Sequence, residues 1–525
     1  LFRLNIPFQP TEPGLEMDLR VGLENSHPIH RVKYLPYVLN HSLLDWLANS
    51  VGDGDVEQAA FIWRGSLRKG ASPLRTVQLF LNITNTSLDY HPQWPKVREI
   101  DGVVLIDDTS VSVWANSARL YESSLERLSV EAWMNEQQHM QLAVEGSLRG
   151  SAADGLAIVN DSLLGEMVGG VFEPWQAAGE LDAQLQLLLD LTDKTVPPQV
   201  DVRATLANVS LDIEPGKLPV KELGGVLYYS SANGFSSSGL QGKLWDEAVS
   251  AVVRQRPRAQ GQGPISFANS ALEIELATWV DMGSVQNWLG LEAVRLASGR
   301  TRLEGMVELL PGEKPRLLLA SHLQGVSLDL PSPWRKDAVS QVPFNLQLPL
   351  AGGIRTLDMQ LGTDLDLRLA IANGSFSGAA LGLSTAAPEL ADNVVRVIGS
   401  AALVDVQQWQ QFIDRYLLAT ATAVAGAAQT EAEQAADTAA AAPGLRIQVD
   451  DIHAGRVVLW GREFEDVRFS LALDPDAWQV RAETDWLQFS YFQPRQGRAG
   501  LKLDFLELDG LASAPLQPGA QSEEA

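Results

Sequence analysis

Apolar and polar residues alternate one by one through much of this chain. Leu357, Met359 and Leu361 alternate with Asp358 and Gln360, and the pattern resumes through Leu365, Leu367, Leu369 and Ile371. Leu181, Ala183, Leu185 and Leu187 repeat it, as do Leu272, Ile274 and Leu276. So do Phe344, Leu346 and Leu348, and Leu501, Leu503 and Phe505. Successive side chains of a strand point to opposite faces, so each run predicts a strand with one apolar and one polar face. Such strands build antiparallel sheet, dry on one side and wet on the other. Asn233-Gly234 and Asn373-Gly374 punctuate the runs as turns. The first residues, Leu1 to Ile6, read as a strand too.

Helical spacing is rarer. Pro36 to Val51 places Leu39, Leu43, Leu47 and Val51 on one face, with Pro36 suited to a first turn. Asn160 to Trp175 is a further candidate, interrupted by Gly169 and Gly170. Met282 to Leu296 and Val406 to Ala419 complete the set, the last with Trp409, Phe412, Ile413, Tyr416 and Leu417. Residues 419–444 are mostly Ala, Thr, Gln and Glu. Without large apolar anchors they predict a frayed helix passing into a flexible linker.

A longer period overlies the short one. Ser-Leu-Asp occurs as Ser87-Leu88-Asp89, Ser210-Leu211-Asp212 and Ser327-Leu328-Asp329, at separations of 123 and 117 residues. Gly102 and Gly225 each lie 13 residues beyond the Asp of their copy, and each opens a run of β-formers. Near-equal modules in series predict an elongated β object that works along its length. The expected modules are 1–150 with the helix 36–51, 151–270, 271–418 ending in a helix, the linker 419–444, a C-terminal β module 445–511, and a disordered tail 512–525.

The 525 residues carry a net charge of −25, which disfavours nucleic acid and electrostatic docking on anionic lipid. Cysteine is absent, which removes thiolate metal sites, redox motifs and disulfides. No apolar run reaches the 18 residues or so of a membrane span. A chain opening at Leu1 in mid-strand reads as an internal fragment.

Catalytic signals are missing. Of seven His, only His27 and His30 are close, and Pro28 between them argues against a helical chelate. Gly374 to Gly378 lacks the spacing of a nucleophile elbow. Asp364 and Asp366 lie on the polar face of a strand, and Asp107-Asp108 and Asp450-Asp451 sit in no ligand-dense loop. The sequons at Asn82, Asn160 and Asn208 are expected by chance. Trp46 and Trp409 read as helix core, whereas Trp94, Trp175 and Trp334 neighbour Pro in loops. The chain reads as no enzyme, with no cofactor and no metal.

Three segments together carry a resemblance. One runs from Val32-Lys33-Tyr34-Leu35-Pro36 through Leu43-Leu44-Asp45-Trp46-Leu47 to Phe61-Ile62-Trp63-Arg64-Gly65. The second holds Leu88-Asp89-Tyr90, Gln93-Trp94-Pro95 and Ile100-Asp101-Gly102. The third, the most specific, holds Leu323, Gly325, Leu330, Pro331, Pro333 and Lys336. They resemble the YhdP-type branch of the AsmA-like proteins of Gram-negative bacteria. The resemblance implies a long, twisted, folded-over β-sheet whose apolar groove takes phospholipid acyl chains. It further implies a periplasmic protein with an inner-membrane anchor and an outer-membrane contact, both carried by segments outside this chain.

Groove lining is expected from Leu181, Leu185, Leu187, Leu272, Ile274, Leu276, Leu346, Leu348, Leu357, Met359, Leu361, Leu365, Leu367 and Leu369. The alternation alone leaves two outcomes open. These faces either stay available to a guest or press together as a closed sandwich, which would make a structural or glycan-binding module. The resemblance favours the groove.

Overall fold

The computed structural model describes residues 1–7, 16–26, 49–66, 74–162, 170, 172–213, 218–257, 270–289, 295–310, 312–350, 354–372, 375–418, 446–474, 476–495 and 497–507. Most of helix 36–51, part of 160–175, the linker and the tail lie outside them. Strand makes up 68% and helix 8%, so the chain is mainly β as expected. It divides into two units, Leu1–Ile274 with Leu309–Glu313, and Glu275–Glu308 with Lys314–Ala525.

In the first unit the strands follow one another as neighbours. They are β1 (Phe2–Asn5), β2 (Met17–Ser26), β3 (Asp55–Gly65), β4 (Arg75–Leu88), β5 (Val97–Asp107), β6 (Ser110–Leu120), β7 (Ser123–Met134) and β8 (Met140–Ser151). After helix α1 (Ala152–Asn160) come β9 (Gln176–Asp190), β10 (Gln199–Ile213), β11 (Leu218–Ser230), β12 (Gly234–Ser237), β13 (Leu240–Leu244) and β14 (Glu247–Pro257). Pairing from β1 to β11 is antiparallel throughout. The helix falls before the Asn160–Trp175 candidate. Ser151 caps it by accepting the Asp154 amide at 3.1 Å, which supplies a start signal that Gly150 and Gly155 obscure in the sequence.

The long-period repeat is a repeat of backbone geometry. In the β4–β5 pair Ile83 faces Gly102, Thr86 faces Ile100 and Leu88 faces Val97, with register shifts between them. In the β10–β11 pair Leu206 faces Gly225, Val209 faces Leu223 and Leu211 faces Val220, again with two shifts. Every partner in the second set lies 123 residues after its counterpart in the first. Asn85 and Glu99 have positive φ, and so do Asn208 and Glu222. The same pair of β-bulges thus bends both ladders at the same place.

The second unit holds α2 (Met282–Leu289), β16 (Ala297–Leu309, except Leu309), β17 (Arg316–Ser321), β18 (Val326–Leu328), β19 (Phe344–Pro349), β20 (Ile354–Leu361), β21 (Leu365–Ala372) and β22 (Ser375–Leu383). Next come β23 (Val394–Ala401), β24 (Val404–Asp405), α3 (Val406–Phe412) with a π-helical turn over Ile413–Leu418, β25 (Arg446–Leu459), β26 (Arg462–Leu473), β27 (Ala477–Glu483), β28 (Leu487–Pro494) and β29 (Gly500–Leu506). Strand β15 (Ser270–Asp281) begins in the first unit's residues and ends in those of the second.

Here the antiparallel expectation gives way, because β22–β23 and β23–β25 pair parallel. A parallel neighbour needs a connection longer than a hairpin. Residues 384–393 make the first crossing, tightly against β22. A Cβ on Gly382 would lie 2.2 Å from the Thr385 carbonyl oxygen. The second connection contains α3.

Candidate functional site

Directly paired residues of a ladder share a face, so the registers trace what each face presents. In the second unit one row runs Gly305, Leu319, Leu346, Met359, Leu367, Leu381, Val397, Val449, Leu471, Val480, Tyr491 and Leu501. Apart from Gly305 every member has a large apolar or aromatic side chain. None is buried: all are half-buried except Leu501, which is exposed.

The other face of the same strands carries most of the polar residues, interspersed with Leu318, Ala380, Ala472 and Phe492. Gln347, Asp358 and Arg368 pair in turn, with Arg368 and Asp358 ion-paired at 3.2 Å, and Arg396 holds Asp450 at 2.7 Å.

The first unit repeats the arrangement. Leu23, Ala59, Leu81, Val104, Val113, Val130, Val144, Leu187 and Val200 form one row, all half-buried. Its reverse side carries Gln58, Asn82, Val103, Trp114, Ser129, Glu145, Gln186 and Asp201. A closed sandwich would bury both rows.

Helices seal one end of these faces. In the first unit Ile158 of α1 packs with Leu128, Ala183 and Leu206 on a core of Val97, Ile100, Ala115, Ala118, Leu120, Leu148 and Leu181. In the second, Met282 at the start of α2 packs on Ala297, Leu323, Val326 and Leu328. There too Trp409 of α3 joins Trp334 on Ala401, Val404, Ala454, Val457 and Val467.

The first and third Ser-Leu-Asp copies lie at these sealed ends. The Asp89 amide donates to the Ser50 carbonyl at 2.7 Å, and the Asp329 amide to the Leu296 carbonyl at 2.8 Å. Asp329 accepts further bonds from Arg335, Arg415 and the Tyr416 hydroxyl.

The Leu-Pro-Ser-Pro-Trp-Arg-Lys segment clamps α3. The Ser332 amide donates to Gln408 Oε1 at 3.1 Å, and the Trp334 and Trp409 rings meet edge to face at 6.0 Å. Lys336 is buried. Its Nζ donates to the carbonyls of Leu323, Val326 and Asp337 at 2.7, 2.7 and 2.9 Å, and burial pulls its pKa down.

The residues expected to line a groove fall into two groups. Leu346, Leu348, Leu357, Met359, Leu361, Leu365, Leu367 and Leu369 share one face in continuous register and are half-buried. Leu361 lies at its sealed end, against the Leu323–Leu328 core. Leu187 is half-buried and Leu185 is 36% exposed, whereas Leu181 is buried under α1. Leu272 is buried at 4% exposure, while Ile274 and Leu276 are half-buried. The sequence reading missed Val104, Val113, Val130, Val397 and Val449, whose short β-branched runs show the alternation less cleanly than the Leu runs do.

The ionisable groups serve turns and caps. Asp190 is held far below the usual carboxylate range, first by the Asp193 amide and then by Gln141, His139 and the Thr192 amide, against burial. The Tyr121 phenol is pushed up by burial and by its bond to Asp161 at 2.5 Å. Asp107 accepts from Gln78 Nε2, and Asp108 from the Val77 amide. Among the described residues no group of three or more His, Asp or Glu is placed to hold a metal ion. His27 and His30 lie outside them.

Fold and faces together define a class: a mainly β chain whose strands keep an apolar face partly open. A family model described as YhdP protein matches residues 2–524, so the chain belongs to the YhdP family, an AsmA-like family of the cell envelope. Comparison with curated proteins gives no match, and comparison with solved structures gives none either. Among the described residues no helix is long and apolar enough to cross a membrane.

Proposed function

We propose that this chain carries phospholipid between the inner and outer membranes of a Gram-negative envelope, with acyl chains sliding along the apolar faces of its sheets. It works as a non-enzymatic segment of a periplasmic protein tethered to the inner membrane. The observation that carries this reading is the row from Leu319 to Leu501, apolar across eleven successive strand positions and nowhere buried. Family membership supports the same reading.

The energetics suit passage. Each CH₂ is stabilised by about 0.8 kcal/mol on leaving water, so two chains of ~16 carbons would cost on the order of 25 kcal/mol to strip into solvent. A face about as apolar as a bilayer removes most of that barrier without a tight binding step. Many interchangeable Leu, Val and Ile then share the work.

Native mass spectrometry of the purified chain tests this, with bound phospholipid as the expected result. Photo-reactive phospholipid is expected to label Leu367 and Leu185 positions. Labelling confined to the polar face, at Asp366, would overturn the assignment of the face.

A further inference from the structure

The open face of the first unit is asymmetric along its strands. From β4 to β10, every buried residue lies between the middle of its strand and the end that meets α1. Val97, Ile100, Ala115, Ala118, Leu120, Leu148, Leu181 and Val209 are the apolar ones. Toward the other end the same face continues through Leu79, Ile106, Val111, Ala132, Leu142 and Leu189, paired in that order and all half-buried.

The strands then turn over through polar loops. Asp107 ends β5 and Asp108 follows it in the turn to β6. Asn135 between β7 and β8 accepts the Gln137 and His139 amides at 3.0 and 2.9 Å. Asp190 and Asp193 organise the loop after β9. One end of the face is therefore dry and roofed by a helix, and the other is wet and polar.

We infer that a diacyl phospholipid lies on this unit in one orientation, its chain ends toward the α1-sealed core and its headgroup at the loops 107–110, 135–139 and 190–196. This placement rests on the lipid-carrying function proposed above and adds a direction to it. An amphiphile reversed on the same face would press its charged headgroup against Leu128, Ala183 and Leu206, which pack on the apolar core beneath α1. Burying an unpaired charge there is far more costly than leaving it at the rim. The sealed end also gives chain termini a wall, so Leu128, Leu185 and Leu206 are the positions that sense chain length.

Two phosphatidylethanolamine probes test the orientation on the full chain, one with a diazirine at the end of an acyl chain and one with it on the headgroup. After irradiation the labelled peptides are mapped by mass spectrometry. The chain-end probe is expected to label mostly peptides around Leu128, Leu185 and Leu206, and the headgroup probe mostly those around Asn135–Leu142 and Leu189–Val196. The reverse distribution, or the same distribution for both probes, overturns the orientation while leaving lipid carriage intact. Absence of labelling by either probe overturns the orientation together with the function beneath it.

Discussion

Single residues in this chain matter mostly for holding backbone in place. Lys336 donates its three ammonium hydrogens to the carbonyls of Leu323, Val326 in β18 and its neighbour Asp337. Lys336→Met keeps the stem but removes three hydrogen bonds, although the Leu323 carbonyl still accepts the Val326 amide and the Asp337 carbonyl the Ser340 hydroxyl. It is expected to destabilise the second unit by about 1–3 kcal/mol in chemical denaturation. Asp190 shows the same economy at a turn. Its pKa in the folded chain lies below the ordinary value of 3.8, so its contribution is present above that value and is lost as the pH falls further. Hydrogen-exchange protection of the Thr192 and Asp193 amides, corrected for intrinsic rates, is expected to decline on acidification below pH 3.8 and to hold steady above it.

At the scale of elements, each bulge pair and each helix belongs to a repeat. Gly102 and Gly225 occupy matching places in their bulged ladders. A Cβ on Gly102 would lie 2.4 Å from the Trp114 carbonyl oxygen, and one on Gly225, at φ +138, would lie 2.7 Å from that of Gly239. Both strands must therefore give way, and Gly102→Ala and Gly225→Ala are each expected to cost about 1–3 kcal/mol, measured by urea unfolding. A different effect is expected at α3, where Asp329 ties the chain after the helix to the strand end through Arg415 and Tyr416. Asp329→Ala is expected to raise hydrogen exchange across residues 406–418 while exchange in β19–β21 stays unchanged.

For the whole molecule, function distributed over rows predicts an unusual mutational profile. Leu367→Met or Leu346→Met preserves an apolar surface of similar volume and is expected to leave phospholipid retention unchanged. Leu367→Asp places a charge on a half-buried face where it can still reach water. It is expected to lower the number of phospholipids retained per chain in native mass spectrometry, with the first unit still loaded, while shifting the thermal midpoint little. A closed core would respond oppositely, unfolding before it lost any ligand.

Much of this was legible in the sequence because a strand's period of two needs only neighbouring residues to reveal it. The run Leu357–Ile371 announced both its strands and the face that Met359 and Leu367 share. The spacing of Asp89 and Asp212 announced the repeat, and segment 321–336 announced the family. Other features depend on residues far apart in the chain. Ser151 starts a helix over Ala152–Asn160 that the sequence reading did not place, and Leu181, written in the same alternation as Leu187, is buried because that helix covers it. The parallel pairings of β23 depend on where two long connections return, which no local pattern encodes. Local alternation fixes which side chains share a face; only the packing of helices and loops on that face decides which of them remain open.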